Sequence, residues 1–156
     1  MTTACQTLRL RLEKRANTTW KRRRLLRGVE ADASYYIRNA EKVVGLLKLD
    51  VESLPPPDLA VEIDITNSSL DKFGIYAALG VQELWLYDGK ICRFYTLNEG
   101  KYSEIPVSGF IPGLTGQLIA DALELSKTEG QDKARSWFRR EIQRTARDMR
   151  REGKLR

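Results

Sequence analysis

The chain has 156 residues, of which 42% are hydrophobic and 31% are charged. This length suits one domain, and the composition excludes a disordered chain and a membrane-spanning one, because no apolar run approaches the roughly 18 residues that a membrane helix needs. The sequence contains no histidine. This excludes imidazole-based hydrolases and histidine metal sites, so any chemistry must use carboxylates, lysine, hydroxyls or thiols.

The N-terminus shows no signal peptide, and the two cysteines, Cys5 and Cys92, show no pairing pattern. We therefore expect a soluble protein of the reducing cytoplasm, with no membrane partner.

The net charge of +6 is unevenly distributed. Residues 1–28 carry nine Lys/Arg against one acid and residues 133–156 carry ten against three, whereas residues 29–132 carry eight against seventeen. Basic ends around an acidic centre suit a protein that holds a polyanion and keeps carboxylates for a divalent cation. A solvated basic helix at each end is the alternative.

In chain order, residues 1–27 form a basic N-terminal segment. Its alternating Leu8, Leu10 and Leu12 favour a strand, followed by a loop or a frayed helix. Residues 29–37 have the β-branched and aromatic composition of a strand. Residues 39–49 have the apolar spacing of a helix, and the three prolines at 55–57 prevent any helix from continuing.

The clearest strand is LAVEIDIT, residues 59–66. Leu59 and Ile63 lie on its apolar face, which we expect in the core, and Glu62 and Asp64 lie on its other, polar face. A capping box at residues 68–71 then predicts a short helix that ends at Gly80.

Three further features follow along the chain. A strand at residues 84–87 leads through Asp88-Gly89 into a hairpin, and a third strand spans 102–107. Apolar spacing predicts a helix near 118–125 and a long amphipathic one over 132–150. The order predicts a mixed α/β domain, with a core over 28–125 and a basic C-terminal helix within 126–156.

Glu62 and Asp64 lie about 6.6 Å apart along one strand face, close enough to share a Mg²⁺ ion and its waters. A third acid would come from Asp32, Glu30 or Asp58. For an isolated Glu-x-Asp pair, a polar strand face that meets water is the more common explanation.

The order and spacing of several sequence blocks resemble those of a bacterial family of restriction-endonuclease-like proteins in the PD-(D/E)XK nuclease superfamily. The resemblance covers about residues 18–125. The blocks are Gly28–Asp32, Tyr35–Ile37, Pro56–Thr66, Asp71-Lys72, Ile75-Tyr76 and Gly80–Trp85.

The resemblance implies a restriction-endonuclease-like mixed sheet flanked by helices, and it implies site residues. Asp32 matches the aspartate of the first acidic motif, with Ala31 in place of the usual proline, and Glu62 matches the acid of the second. The superfamily's lysine would fall on Asp64, so Lys72 is the natural substitute, although a solvated lysine beside Asp71 is its ordinary interpretation. Glu83 also matches the family or simply caps its strand.

The implied function is a DNA endonuclease that uses Mg²⁺ or Mn²⁺. Asp32, Glu62 and Asp64 would hold the metal, and Lys72 would orient water or neutralise developing charge. The alternative is a catalytically inactive nucleic-acid-binding or interaction module in which the arginines of 133–156 grip phosphates.

The family usually has a longer N-terminal portion than the 31 residues that precede Asp32. We therefore expect an N-terminally truncated member with an exposed sheet edge. Nucleases of this fold often work as dimers, so the resemblance leaves a homodimer open.

Overall fold

A computed structural model describes residues 1–15, 19–20, 29–46, 50, 53–63 and 72–154. The fold is mixed α/β, as predicted: a six-stranded sheet is flanked by helices, and the last helix is long. The helices are α1 (Thr2–Leu8), α2 (Phe73–Leu79), α3 (Gly116–Glu129) and α4 (Gln131–Arg151). The strands are β1 (Glu13–Arg15), β2 (Thr19–Trp20), β3 (Val29–Glu30), β4 (Ala33–Tyr36), β5 (Leu59–Ile63), β6 (Glu83–Tyr87), β7 (Cys92–Asn98) and β8 (Lys101–Ile105).

The large sheet has the strand order β1-β4-β5-β6-β7-β8, and β2 pairs with β3 in a separate two-stranded sheet. Only β5 and β6 run parallel among the strands described; the other pairs are antiparallel. A parallel pair needs a crossover connection, and α2 lies within that connection. Strand β1, at one end of this order, belongs to the basic N-terminal segment.

The two faces of the sheet carry separate hydrophobic clusters. One face packs against α1, α3 and α4, and the other packs against α2. The first cluster is centred on Ala4, Cys5, Leu59, Trp85, Phe94, Ile111, Leu114, Phe138 and Ile142. The second is centred on Tyr36, Ala40, Val43, Ala60, Tyr76, Leu79, Val81 and Leu84.

Strand β5 lies between β4 and β6, and both of its faces are covered. Leu59 and Ala60 point to opposite faces and are both 0% exposed, and Glu62 is 2% exposed. The alternative interpretation, in which the polar face of this strand meets water, therefore does not hold at Glu62. Ile63, which was predicted to be core, is instead 55% exposed at the end of the strand.

The predicted helix over 39–49 is reduced to a single 3-10 turn, Ala40–Lys42. Gly45, with a φ of 75°, follows in a left-handed conformation that ends helical geometry. Arg15 of β1 donates hydrogen bonds to the carbonyls of Val43 and Leu46 and so fixes this turn against the sheet edge. Residues 47–49 lie outside the described residues.

The N-terminal strand predicted from alternating leucines was also wrong in its position. Leu8 ends α1, while Leu10 and Leu12 lie in the connection to β1 and pack partly buried against the first cluster. A hydrophobic alternation over only three leucines does not distinguish a strand from a helix followed by a packed loop.

The single strand predicted over 29–37 is divided into β3 and β4, which belong to different sheets, and Asp32 lies between them. Other predicted elements are confirmed: the Asp88-Gly89 signal marks the hairpin between β6 and β7. Helix α2 ends at Gly80, with a φ of 83°, but its predicted capping box lies outside the described residues. Helix α3 continues through residue 126 to Glu129 before α4 begins. Within the described part of the chain, no helix has the length and apolarity to cross a membrane.

Candidate active site

Glu62 is a buried carboxylate with two side-chain donors. Its Oε2 atom lies 2.6 Å from the Nζ atom of Lys72, and its Oε1 atom accepts a hydrogen bond from the hydroxyl of Tyr76. A buried carboxylate without partners would be strongly destabilising. The ammonium and the hydroxyl compensate this burial and fix the orientation of the carboxylate.

Helix α2 positions both donors. Lys72 is the N-cap residue of α2, and Tyr76 follows four residues later. Residues four apart lie on the same helix face, so both side chains reach the same point on β5. Lys72 remains 36% exposed, whereas Tyr76 is fully buried. The cluster is therefore closed on the helix side and open where the ammonium lies.

The pKa of Tyr76 is raised, first because the phenol is buried and then because it donates its hydrogen bond to Glu62. The negative charges of Glu62 and Asp32 act in the same direction. Tyr76 therefore stays protonated and acts as a hydrogen-bond donor.

Asp32 lies beside this cluster at the start of β4. Ala33 pairs with Val61, and continuing this register by one residue places Asp32 opposite Glu62. The Oδ2 atom of Asp32 accepts a hydrogen bond of 2.7 Å from the backbone amide of Ile63, the residue after Glu62. Asp32 is exposed to solvent. The structure thus brings together Asp32, Glu62 and Lys72, three of the four predicted site residues.

Asp64, the fourth, lies outside the described residues. The alternative third acid, Asp58, has a structural role at the opposite end of β5. It is 3% exposed and accepts hydrogen bonds from the backbone amides of Ile37 and Asn39 and from the side chain of Asn39. Its oxygens therefore organise the turn after β4. Glu30 lies exposed on β3, in the separate two-stranded sheet.

Glu83 is also buried, on the opposite face of the sheet from Glu62. It accepts hydrogen bonds from the indole of Trp85, at 2.6 Å, and from the backbone amide of Gly109, at 2.8 Å. Both donors are neutral; Trp85 is buried, whereas Gly109 is exposed. Glu83 therefore holds the 109 segment against β6 and is not part of the cluster around Glu62.

Asp32 and Glu62 have the chemistry of magnesium ligands. Their carboxylate oxygens are hard donors, and each Glu62 oxygen keeps a second lone-pair site beside its hydrogen bond. The described residues contain no group of three or more His, Cys, Asp or Glu side chains that could hold a metal. Two carboxylates are enough for Mg²⁺, which usually keeps several waters and completes its shell with substrate phosphates. The residues present therefore fit the ion.

Tyr76 is the member of the cluster that the sequence analysis did not assign a role. The signal was the spacing of four residues between Lys72 and Tyr76 on a helix that follows the acidic strand. This spacing predicts a shared helix face. It does not indicate which strand residue that face meets, because that depends on how α2 packs on the sheet.

Comparison with known proteins identifies a family. No curated protein matches the sequence. The sequence profile of a family described as Uma2, putative restriction endonuclease, matches residues 3–127, which include β5, α2 and every described residue of the cluster. The chain therefore belongs to the Uma2 family of putative restriction endonucleases.

Proposed function

We propose that the protein is a magnesium-dependent DNA endonuclease that hydrolyses phosphodiester bonds with Asp32, Glu62, Asp64 and Lys72. The observation that supports this proposal is the contact between the buried carboxylate of Glu62, near the end of β5, and the partly exposed ammonium of Lys72. Membership of a nuclease-like family supports the same reaction class.

Asp32 and Glu62 would hold the metal ion, and Asp64 is proposed as a further ligand. When bound, Mg²⁺ or Mn²⁺ would lower the pKa of a coordinated water and stabilise negative charge on the phosphate. The backbone amide of Ile63 fixes one oxygen of Asp32, and Tyr76 fixes one oxygen of Glu62. The chain therefore orients these two carboxylates before any substrate arrives.

Lys72 would act on the substrate through its exposed ammonium. Its 2.6 Å contact with Glu62 holds the charged group beside the proposed ligands. An ammonium at this position would neutralise charge that develops on the scissile phosphate. The superfamily's lysine position is occupied by Asp64, and the start of α2 supplies the cation instead.

Glu62→Gln tests the proposal directly. We expect cleavage of plasmid and linear duplex DNA in Mg²⁺ or Mn²⁺ to fall by more than about a hundredfold. The change removes a charged metal ligand itself, whereas loss of a residue that only orients a ligand would have a smaller effect. Calorimetric titration with Mn²⁺ should show weaker binding in the same variant. Circular dichroism would establish that the fold is retained.

Glu124→Gln is the matched control, since it makes the same chemical change at an exposed glutamate of α3 that pairs with Lys127. Cleavage and Mn²⁺ binding by this control should equal those of the wild type. Undiminished cleavage by Glu62→Gln would exclude Glu62 as a ligand and would overturn the proposed site.

A nucleic-acid-binding module without cleavage activity is the second candidate. It is favoured by the fact that both oxygens of Glu62 already have partners within the fold. DNA binding by the wild type with no cleavage in any divalent ion would support this second function.

A further inference from the structure

The C-terminal helix is amphipathic, and its apolar side is already used. Ala134, Phe138, Ile142 and Ala146 are buried. The opposite side carries most of the basic residues that the sequence concentrates in 133–156. Helix α4 begins after the end of the family match at residue 127. Its charged side therefore requires an explanation of its own.

The cations of α4 fall into two groups. Lys133, Arg135 and Arg144 form ion pairs with acids on α3 or on α4 itself. In contrast, five arginines of α4 form no ion pair with any residue that the structure describes: Arg139, Arg140, Arg147, Arg150 and Arg151. The last three lie toward the C-terminal end of the helix.

A groove of about 560 Å³ between α1 and α4 is lined by two of these arginines, Arg147 and Arg150, and by Arg9 at the end of α1. We name it the arginine groove; its lining residues are Thr7, Leu8, Arg9, Gln143, Ala146, Arg147 and Arg150. Three guanidinium groups line it and no acid does. The nearest acid along α4, Asp148, borders a neighbouring depression with Arg144, Arg147 and Arg151.

Arg9 reaches the groove from an unfavourable backbone conformation. It is the C-cap residue of α1, with φ 56° and ψ 33° in the left-handed region. Glycine or asparagine usually occupies this position, and a larger L-residue there costs about 1–2 kcal/mol. Arg9 also has no ion-pair partner among the described residues. This conformation closes the end of α1, because the backbone amides of Arg9 and Leu10 donate hydrogen bonds to the carbonyls of Gln6 and Cys5. It leaves the Arg9 side chain lining the groove together with two other arginines.

We infer that the arginine groove binds the phosphodiester backbone of nucleic acid. Guanidinium groups bind phosphate oxygens in a bidentate geometry, and Gln143 and Thr7 add neutral hydrogen-bonding groups at the same surface. Arg147 and Arg150 are three residues apart, so they are neighbours along the helix surface. An anionic membrane is disfavoured, because α4 buries its apolar face and has none to insert into lipid.

The groove deepens the proposed function, on which its choice of partner rests, but it is separate from the Glu62 cluster. Helix α4 packs on the sheet face of Leu59, Trp85 and Phe94, whereas Glu62 lies on the α2 face. The groove therefore contributes affinity for the backbone and not the reaction itself. Its loss should raise KM and leave kcat unchanged.

The test compares two triple variants of equal charge. Arg9→Gln/Arg147→Gln/Arg150→Gln removes the groove cations. Arg93→Gln/Lys127→Gln/Lys133→Gln is the control, since each of its three residues pairs with an acid at the surface. Binding of a fluorescent duplex is measured by anisotropy in EDTA, where no cleavage occurs, over about 50 to 200 mM salt.

For the groove variant, we expect Kd to rise by at least about tenfold. The negative slope of log affinity against log salt should become less steep, by about 3. The control should retain the wild-type slope within about 1. Equal losses in both variants, or no loss in the groove variant, would overturn the inference. Arginine-dependent binding to anionic vesicles without DNA binding would also overturn it.

The Glu62→Gln variant keeps the two proposals distinguishable. It should bind the duplex in EDTA as tightly as the wild type, because the arginine groove is intact. Failure of cleavage in the wild type would contradict the proposed endonuclease, whereas failure of the groove variant to lose affinity would contradict only the groove.

Discussion

Glu62 and Glu83 are two buried glutamates on the paired parallel strands β5 and β6, each 2% exposed, and they face opposite sides of the sheet. Glu83 is held by a buried indole and by the backbone amide of Gly109. Glu62 is held by a buried hydroxyl and by an ammonium that is 36% exposed. Equal burial thus accompanies two different environments. The donors to Glu83 are both neutral, whereas Glu62 has a partly exposed cation beside it, as its proposed role as a metal ligand requires.

Exchanging each glutamate for glutamine tests this difference most strongly. In Glu83→Gln, the new amide NH₂ group must face either the indole N–H of Trp85 or the backbone N–H of Gly109, so one hydrogen bond becomes a contact between two donors. We expect a loss of about 2 kcal/mol in the free energy of unfolding. Glu62→Gln should cost less than about 1 kcal/mol, because Lys72 can turn to solvent and Tyr76 keeps an acceptor.

Urea unfolding measures both free energies. DNA cleavage is then measured at a temperature where both variants are folded, and the order of the two effects should be reversed. Glu83→Gln should cleave as the wild type does, in contrast to Glu62→Gln. Equal destabilisation by the two changes would remove the distinction between the two carboxylates.

The face that contains Glu83 also contains both cysteines. Because this face is apolar, we expect the free energy of unfolding to depend on pH through the two thiols. Burial raises the pKa of the Cys5 thiol to about 11 and that of Cys92 to about 12, from an ordinary value of 9.0. Unfolded thiols ionise first, so the stability that depends on these groups is complete below pH 9.0 and is lost as pH rises toward 11 and 12.

Urea unfolding at pH 8 and above pH 10, compared with Cys5→Ala/Cys92→Ala, should show a smaller alkaline loss in the double variant. Labelling of the native thiols at pH 8 should be about a hundredfold slower than that of a free thiol. Rapid labelling without unfolding would show that this face of the sheet is open.

Tyr76→Phe separates the two partners of Glu62. The variant loses one donor to a buried carboxylate, which should cost about 1 to 2 kcal/mol in unfolding free energy. Cleavage should fall by no more than about tenfold, because Lys72 still orients the other oxygen. A larger loss of activity than of Mn²⁺ affinity would instead assign Tyr76 to the substrate.

The sequence was sufficient for the elements whose local signals agree with their packing. The Asp88-Gly89 hairpin, the end of α2 at Gly80 and the long helix α4 all follow from turn chemistry or periodicity. The helix predicted over 39–49 failed because Gly45 adopts a left-handed conformation and Val43 is buried in a turn that Arg15 holds. Such a long-range contact has no signature in the segment itself.

The candidate site was predictable to the same degree. The alternation in β5 and the family resemblance identified Glu62 and Asp32. Neither indicated that Glu62 would be buried, because burial comes from α2 packing over the strand. The hydrogen bond from Tyr76 and the position of Arg9 beside α4 likewise depend on tertiary contacts between separate elements.

The packing of α1 against α4 has a consequence for synthesis on the ribosome. Helix α1 is made first, yet the residues that cover Ala4 and Cys5 include Phe138 and Ile142, which are made near the end. The buried face of α1, formed by Ala4 and Cys5, therefore has no helix to cover it until α4 emerges. The cluster of Glu62, Lys72 and Tyr76 is contained within fifteen residues and can assemble much earlier. The arginine groove, in contrast, lies between α1 and α4, so it can form only when the whole chain has been made.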